Sequence, residues 1–152
     1  MSMESAEQDR PVAAVAGGYR VDQQVGFLLR QANQRHVAIF SARMGDKLTT
    51  MQWSALVKLR EIQPSSQNQL GREIAMDAAT TKGVIDRLVA RGYVSTSPDP
   101  EDGRRLILSL TEAGNEAVER NLASAQTVTE ETLAPLSLEE RSTLLKLIRK
   151  LC

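Results

Sequence analysis

A chain of 152 residues, 41% hydrophobic but only 3% aromatic, has room for one core built from Leu, Ile, Val, Ala and Met, a mixture that favours helices. Nineteen basic side chains balance nineteen acidic ones, so a polyanionic partner has to be met by where the charges sit, not by net charge. The lone Cys152 rules out an internal disulfide and a cysteine zinc site, the short apolar runs rule out a membrane span, and Glu4, Glu7 and Asp9 beside the brief apolar stretch 12–16 argue against a signal peptide. The expected location is the cytoplasm, with no cofactor and no metal.

Residues 1–20, with Pro11 and Gly17-Gly18, lack sustained periodicity and read as a mobile N-terminal arm. From Val21 to about Met44 the pattern turns helical, with Val25, Leu28, Leu29, Ala32, His36, Ile39 and Phe40 on one face and Gly45 as the stop. A second helix starts at a Thr49 or Thr50 cap, runs through Trp53, Leu56 and Leu59, and is stopped by Pro64. Ser66 caps a short helix over Gln67–Glu73 or Met76, and Asp77 caps the next, Ala78 to Arg91, closed by Gly92. Tyr93–Ser97 reads as a strand, Pro98–Gly103 as a turn, and Arg105–Leu110 as the returning strand, with Leu106, Leu108 and Leu110 alternating. A long helix follows from about Thr111 to Leu133 and breaks at Pro135. Ser137 and Glu140 then form a capping box for a last helix through Leu144, Leu145, Leu147, Ile148 and Leu151.

Two short consecutive helices followed by a basic-tipped hairpin make a device for reading duplex DNA. On a wheel of ~100° per residue, Thr81, Val84, Ile85 and Leu88 of the second helix face inward. Ala79, Lys82, Gly83, Asp86, Arg87 and Ala90 fall opposite, with Thr80 at the edge, so a small, smooth N-terminal half could press against base edges while Lys82 and Arg87 reach phosphate or guanine. The plainer reading of that face is a solvated surface with a Lys82–Asp86 pair. Arg104 and Arg105 stand where the turn meets the strand and suit a narrow minor groove; an Asp102–Arg104 pair would pre-orient the first of them. Ser66, Gln67 and Asn68 offer donors to a phosphate at a helix start. Charges in Ser66–Thr111 are close to balanced, so a single copy would hold DNA weakly, and two copies on one duplex would double the contacts. The apolar stripes of the first and last helices, at opposite ends of this module, suit pairing across a two-fold axis; burial within an intramolecular bundle is the alternative.

From Val21 to Leu151 the sequence resembles the MarR family of winged helix-turn-helix transcription regulators. The resemblance is carried by Ser66–Gly71, by Val84–Val94 and above all by the wing, where Asp102, Arg104, Leu110, Thr111 and Gly114 follow an Asp-x-Arg, then Leu-Thr-x-x-Gly, pattern. It implies a mainly α fold with a small β-hairpin wing, in which residues 46–111 form the winged helix DNA-binding lobe and residues 21–45 and 112–152 the helical dimerisation region. It also implies a homodimer on a palindromic double-stranded operator. The run Arg30–His36 resembles members that govern aromatic-acid degradation, implying a repressor of aromatic-compound catabolism released by a small aromatic acid or an aromatic acyl-CoA.

The residues that could hold such an effector are Arg30, Asn33, Arg35, His36 and Phe40 on the first helix and Trp53 on the second: cations, an amide and an aromatic wall fit a planar carboxylate or CoA phosphates. A hydrogen-bonded core histidine is the plainer reading of His36. Other classes fit less well. The single histidine supplies no nucleophile–base pair for a hydrolase and no metal cluster. A thiol redox sensor would have only the terminal Cys152, and a winged helix used solely for protein contact would show no salt-dependent duplex binding.

Overall fold

The computed structural model describes residues 18–152, so the arm expected over residues 1–20 lies almost wholly outside the described residues. The chain divides into two compact units, the first ending at Asn33 and the second spanning Gln34–Cys152. The elements in chain order are a single 3-10 turn Val21–Gln23, α1 Val25–Arg43, α2 Thr50–Ile62, β1 Ser65–Ser66, α3 Gln67–Glu73, α4 Ala78–Ala90, β2 Val94–Pro98, β3 Leu106–Leu110, α5 Glu112–Leu133 and α6 Leu138–Arg149. The first helical stretch is therefore broken near its start, where Gln24 takes an extended conformation, φ −87° and ψ 137°.

Helix starts follow local chemistry. Thr49, not Thr50, caps α2, in a reciprocal box in which its hydroxyl accepts from the Gln52 N–H and the Gln52 side chain accepts from the Thr49 N–H. Ser66 and Asp77 cap α3 and α4 by accepting from the backbone N–H three residues on. The Ser137–Glu140 box at α6 forms as the spacing predicts. Gly92, at φ +75°, ends α4 in the left-handed region that a side chain would resist.

Within Gln34–Cys152 the main core draws on α2, α3, α4, the sheet and α5. Leu56 and Leu59 of α2, Leu70 of α3, Val84, Ile85 and Leu88 of α4, Val94, Leu108 and Leu110 of the sheet and Val118 of α5 are all buried and pack together. Each fully buried Leu contributes on the order of 1.5–3 kcal/mol relative to exposure, so removing the α4 stripe would detach that helix from its support. A smaller cluster joins Phe40 and Met44 of α1 to Val128 of α5, and Trp53 packs against both clusters.

The sheet has three antiparallel strands in the order β1-β3-β2, not the two-stranded hairpin expected. Val94 faces Leu110 and Pro98 faces Leu106 across the wing, while Ser65 faces Leu108 on the other side. The added strand is only two serines long, too short to leave an alternation in the sequence. Ser65 is nonetheless fully buried, and it anchors the start of α3 against the wing.

Candidate nucleic-acid interface and effector pocket

The helix-turn-helix is held tightly. Gly71 of α3 lies so close to α4 that a Cβ there would stand 2.8 Å from Thr81 Oγ1, whose hydroxyl donates to the Asp77 carbonyl at 2.8 Å. Thr81, Val84, Ile85 and Leu88 are the buried residues of α4, as the wheel predicts. The face opposite carries Ala79, Lys82, Asp86, Arg87 and Ala90, all exposed. Thr80 is half-buried, and its hydroxyl donates to Asp77 Oδ2 at 2.7 Å while its N–H donates to Oδ1 at 2.8 Å. These bonds hold the Asp77 carboxyl below its usual range, the backbone N–H of Thr80 being the main cause and its hydroxyl the next. Lys82 pairs with Asp86 at 2.6 Å, both well exposed, which leaves Arg87 as the α4 cation with no ion pair among the described residues.

At the wing, residues 99–105 close on themselves. The Asp99 carboxylate accepts from the Glu101 N–H at 2.9 Å, and the Asp99 N–H donates to the Arg105 carbonyl at 2.9 Å. The expected Asp102–Arg104 ion pair is not formed. Asp102 Oδ1 instead accepts from the backbone N–H of Arg104 at 3.1 Å. A short aspartate two residues upstream reaches the main chain more easily than it reaches a long guanidinium. The carboxylate thus shapes the turn, and both Arg104 and Arg105 are exposed without an ion pair among the described residues. Ser66 is spent on capping α3, Gln67 is half-buried and Asn68 is exposed beside it.

The second site lies within the Gln34–Cys152 unit. A cavity of about 130 Å³ is lined by His36 and Phe40 of α1, Thr50, Trp53 and Ser54 of α2, and Ala125, Val128 and Thr129 of α5. The His36 Nδ1 stands 3.0 Å from Thr132 Oγ1, and its ring is tilted 51° to that of Phe40 at 6.4 Å between centroids. Its Nε2 has no hydrogen-bond partner among the described residues. Of the six residues expected to hold an effector, the structure brings His36, Phe40 and Trp53 together around this cavity. Arg35 is turned to the end of α5, where its guanidinium donates to the carbonyls of Thr132 at 2.5 Å and Glu131 at 2.9 Å, complementing the negative end of that helix. Arg30 and Asn33 belong to the first unit and are exposed, and the Arg30 guanidinium lies 5.3 Å from the centre of the Phe27 ring. Thr50, Ser54, Thr129 and Thr132 were not legible as site residues. Their only signal is hydroxyls at helical spacing, Thr50 and Ser54 on α2 and Thr129 and Thr132 on α5, which solvated helices also show.

A half-buried polar cavity beside a winged helix-turn-helix with an arginine-tipped wing is the arrangement of a DNA-binding regulator. The MarR family model matches residues 48–106, from just before α2 to the first residue of β3. HTH-type transcriptional repressor NicR of Pseudomonas putida is 42% identical over 134 residues, covering 88% of this chain and 85% of that protein. A probable transcriptional regulator from Pseudomonas aeruginosa shares 53% identity and superposes with a TM-score of 0.84, covering 88% of this chain and all of that one. Bordetella bronchiseptica BpsR, in a structure described as a mechanism for regulation of its DNA binding by 6-hydroxynicotinic acid, shares 40% identity at a TM-score of 0.84, covering 89% and 97%. The chain belongs to the MarR family: it is a winged helix DNA-binding transcription regulator and not an enzyme. No described helix is long and apolar enough to cross a membrane.

Proposed function

We propose that this protein is a homodimeric repressor of aromatic-compound catabolism that leaves a palindromic operator when a single-ring aromatic acid enters the His36 cavity. The observation that carries the reading is the cavity itself: an aromatic wall of Phe40 and Trp53, an imidazole nitrogen with no partner among the described residues, and hydroxyl-bearing side chains on α2 and α5. Such a site suits one flat ring with one charged edge. A volume of about 130 Å³ has room for one small ring, and the rest of a CoA thioester would have to lie outside. The likeness to BpsR, whose DNA binding is regulated by 6-hydroxynicotinic acid, supports a pyridine carboxylate.

Dimerisation is supported in each unit separately. Val25, Leu28 and Leu29 in the first, and Leu138, Leu147, Ile148 and Leu151 in the second, are exposed, an apolar surface that a lone chain leaves in water. On DNA, α4 enters the major groove with Ala79, Thr80 and Arg87 toward the bases, α3 presents Ser66, Gln67 and Asn68 to the backbone, and Arg104 and Arg105 reach the neighbouring groove. Sedimentation analysis and a duplex-release assay against 6-hydroxynicotinic, nicotinic, 4-hydroxybenzoic and benzoic acids, with their CoA thioesters as competitors, test the whole reading. A monomer at micromolar concentration, or release only by thioesters, would refute the respective part.

A further inference from the structure

The connection between α1 and α2 places its residues against the expectations of backbone chemistry. Asp46 and Lys47 both sit in the left-handed region, at φ 55° and 49°, where glycine is the residue of choice. A glycine stands immediately before them, yet Gly45 is used for something else. A Cβ on Gly45 would lie 2.9 Å from Asn121 Oδ1, so its bareness serves the approach of α5. The left-handed backbone is left to residues that carry side chains. Strain of this kind persists only where the surroundings over-determine it.

The surroundings here are the Asp46 side chain and its partners. Asn121 is buried and has its whole amide engaged: Oδ1 accepts from the Gly45 N–H at 2.8 Å, and Nδ2 donates to Asp46 Oδ2 at 2.7 Å and to the Ala117 carbonyl at 2.8 Å. Arg120, also on α5, reaches both Asp46 carboxylate oxygens at 3.3 and 3.4 Å. From the other side comes Arg91, the residue that closes α4. Its guanidinium donates to the Asp46 carbonyl and lies 4.8 Å from the centre of the Tyr93 ring, and the Tyr93 hydroxyl stands 3.5 Å from Asp46 Oδ1. One residue therefore touches the end of α4, the entry to the wing and the middle of α5.

We propose that Asp46 is a positioning residue for DNA recognition: it fixes the C-terminal end of α4 against α5, and so sets the angle at which α4 meets the groove. None of the residues in the network is needed on the DNA-facing side of α4 for this role. The inference rests on α4 as the groove-entering helix, and it predicts an effect whose sign charge alone would not give. Deleting an acidic side chain near a DNA-binding surface raises affinity if it acts through the field. Deleting Asp46 lowers it.

The test uses the full chain and a duplex selected by the parent protein from a random pool. Asp46→Gly removes the carboxylate's contacts with Asn121, Arg120 and Tyr93, and so unties the joint from α5, while keeping the main-chain carbonyl that Arg91 holds and relieving the left-handed strain. Affinity for the selected duplex should fall at least tenfold, with the salt dependence of binding unchanged. Asp46→Asn, which tolerates the same backbone conformation and keeps an acceptor, should recover most of it. Arg91→Met gives an independent reading: a positioning role lowers affinity at constant salt slope, whereas loss of a phosphate contact lowers the slope by about one. Asp46→Gly binding as tightly as the parent or tighter overturns the proposal, as does an affinity loss that only tracks a loss of folded protein. An Arg91→Met slope reduced by one also overturns it. A parent that selects no duplex refutes the groove reading of α4 and the positioning role with it.

Discussion

Gly114, in the first turn of α5, lies against the backbone of Tyr93 so closely that a Cβ on it would stand 2.1 Å from the Tyr93 carbonyl oxygen. That carbonyl accepts the Thr111 N–H at 3.1 Å, and the Thr111 hydroxyl donates to the Gly92 carbonyl at 2.6 Å while accepting from the Gly114 N–H at 3.0 Å. The Leu-Thr-x-x-Gly run after the wing is therefore a weld. Thr111 stitches the start of α5 to the Gly92-Tyr93 turn between α4 and β2, and Gly114 allows the two backbones to touch.

Gly114→Ala should accordingly destabilise the chain although the site carries no function of its own. Helix propensity favours alanine by roughly 1 kcal/mol, but a 2.1 Å approach to backbone cannot be relieved by rotating a side chain. Overpacking costs typically 1–3 kcal/mol and here should exceed that gain. Thermal unfolding followed by circular dichroism would show a melting temperature lower by several degrees. An unchanged or raised value would mean that α5 can slide along the wing.

A second expectation separates two cations that look alike in the sequence. Arg104 has no ion pair among the described residues and stands at the tip of a turn that is shaped by Asp102, whereas Lys82 is already paired with Asp86 at 2.6 Å. Arg104→Ala should weaken operator binding by about 1–3 kcal/mol. Lys82→Ala should cost less, because the ammonium must give up Asp86 to reach a phosphate. Gel-shift titrations of the two variants on one duplex decide it. Equal losses would show that the Lys82–Asp86 pair opens freely on DNA.

The frame of the winged-helix lobe was largely legible in the sequence. Caps at Ser66 and Asp77, the Thr81–Val84–Ile85–Leu88 stripe and the wing turn are local features, and local chemistry writes them plainly. What was not legible depended on distance in sequence. Ser65 pairs with Leu108 across 43 residues through a strand of two, which no periodicity betrays. Arg35 looked like a ligand-binding cation on its own helix, but the carbonyls that occupy it belong to residues 131 and 132. The acid–base pairing expected at the wing failed for a subtler reason: Asp102 and Arg104 are neighbours, and the backbone N–H was simply nearer than the guanidinium.

Acid should loosen the joint between α1 and α2. Hydrogen bonding to Asn121, then Arg120, and the charge of Arg91 hold the Asp46 carboxyl below its usual value of 3.8, outweighing the opposing effect of burial. A depressed folded value means that the unfolded chain binds the proton more readily. The stabilisation is thus fully present above the unfolded value, and it is lost as pH falls from about 5 through 3.8 and on toward the folded value. Denaturant unfolding at pH 7 and pH 3 should show a larger fall for the parent than for Asp46→Asn, which has no proton to take up there. Equal falls would place the acid sensitivity elsewhere, with the Asp77 cap of α4 the next carboxyl to examine.

The effector reading yields a prediction that distinguishes two neighbours on one helix turn. His36 lines the cavity with one nitrogen that has no partner among the described residues, whereas Arg35 is committed to the carbonyls at the end of α5. A ligand can shift the protein off DNA only by its difference in affinity for the bound and released states. His36→Ala should therefore leave duplex affinity near that of the parent while raising the concentration of 6-hydroxynicotinic acid needed for release by tenfold or more. Arg35→Ala should act the other way round. It removes one of the ties between α1 and the end of α5, leaving Arg43 on Glu131 and His36 on Thr132, so the melting temperature falls, but the contacts available to a ring in the cavity are untouched. Titrating both variants with the acid, by Trp53 fluorescence for binding and by duplex release for coupling, keeps the two roles apart. If Arg35→Ala loses ligand binding while His36→Ala keeps it, the guanidinium swings into the cavity when the acid arrives and His36 is a structural residue.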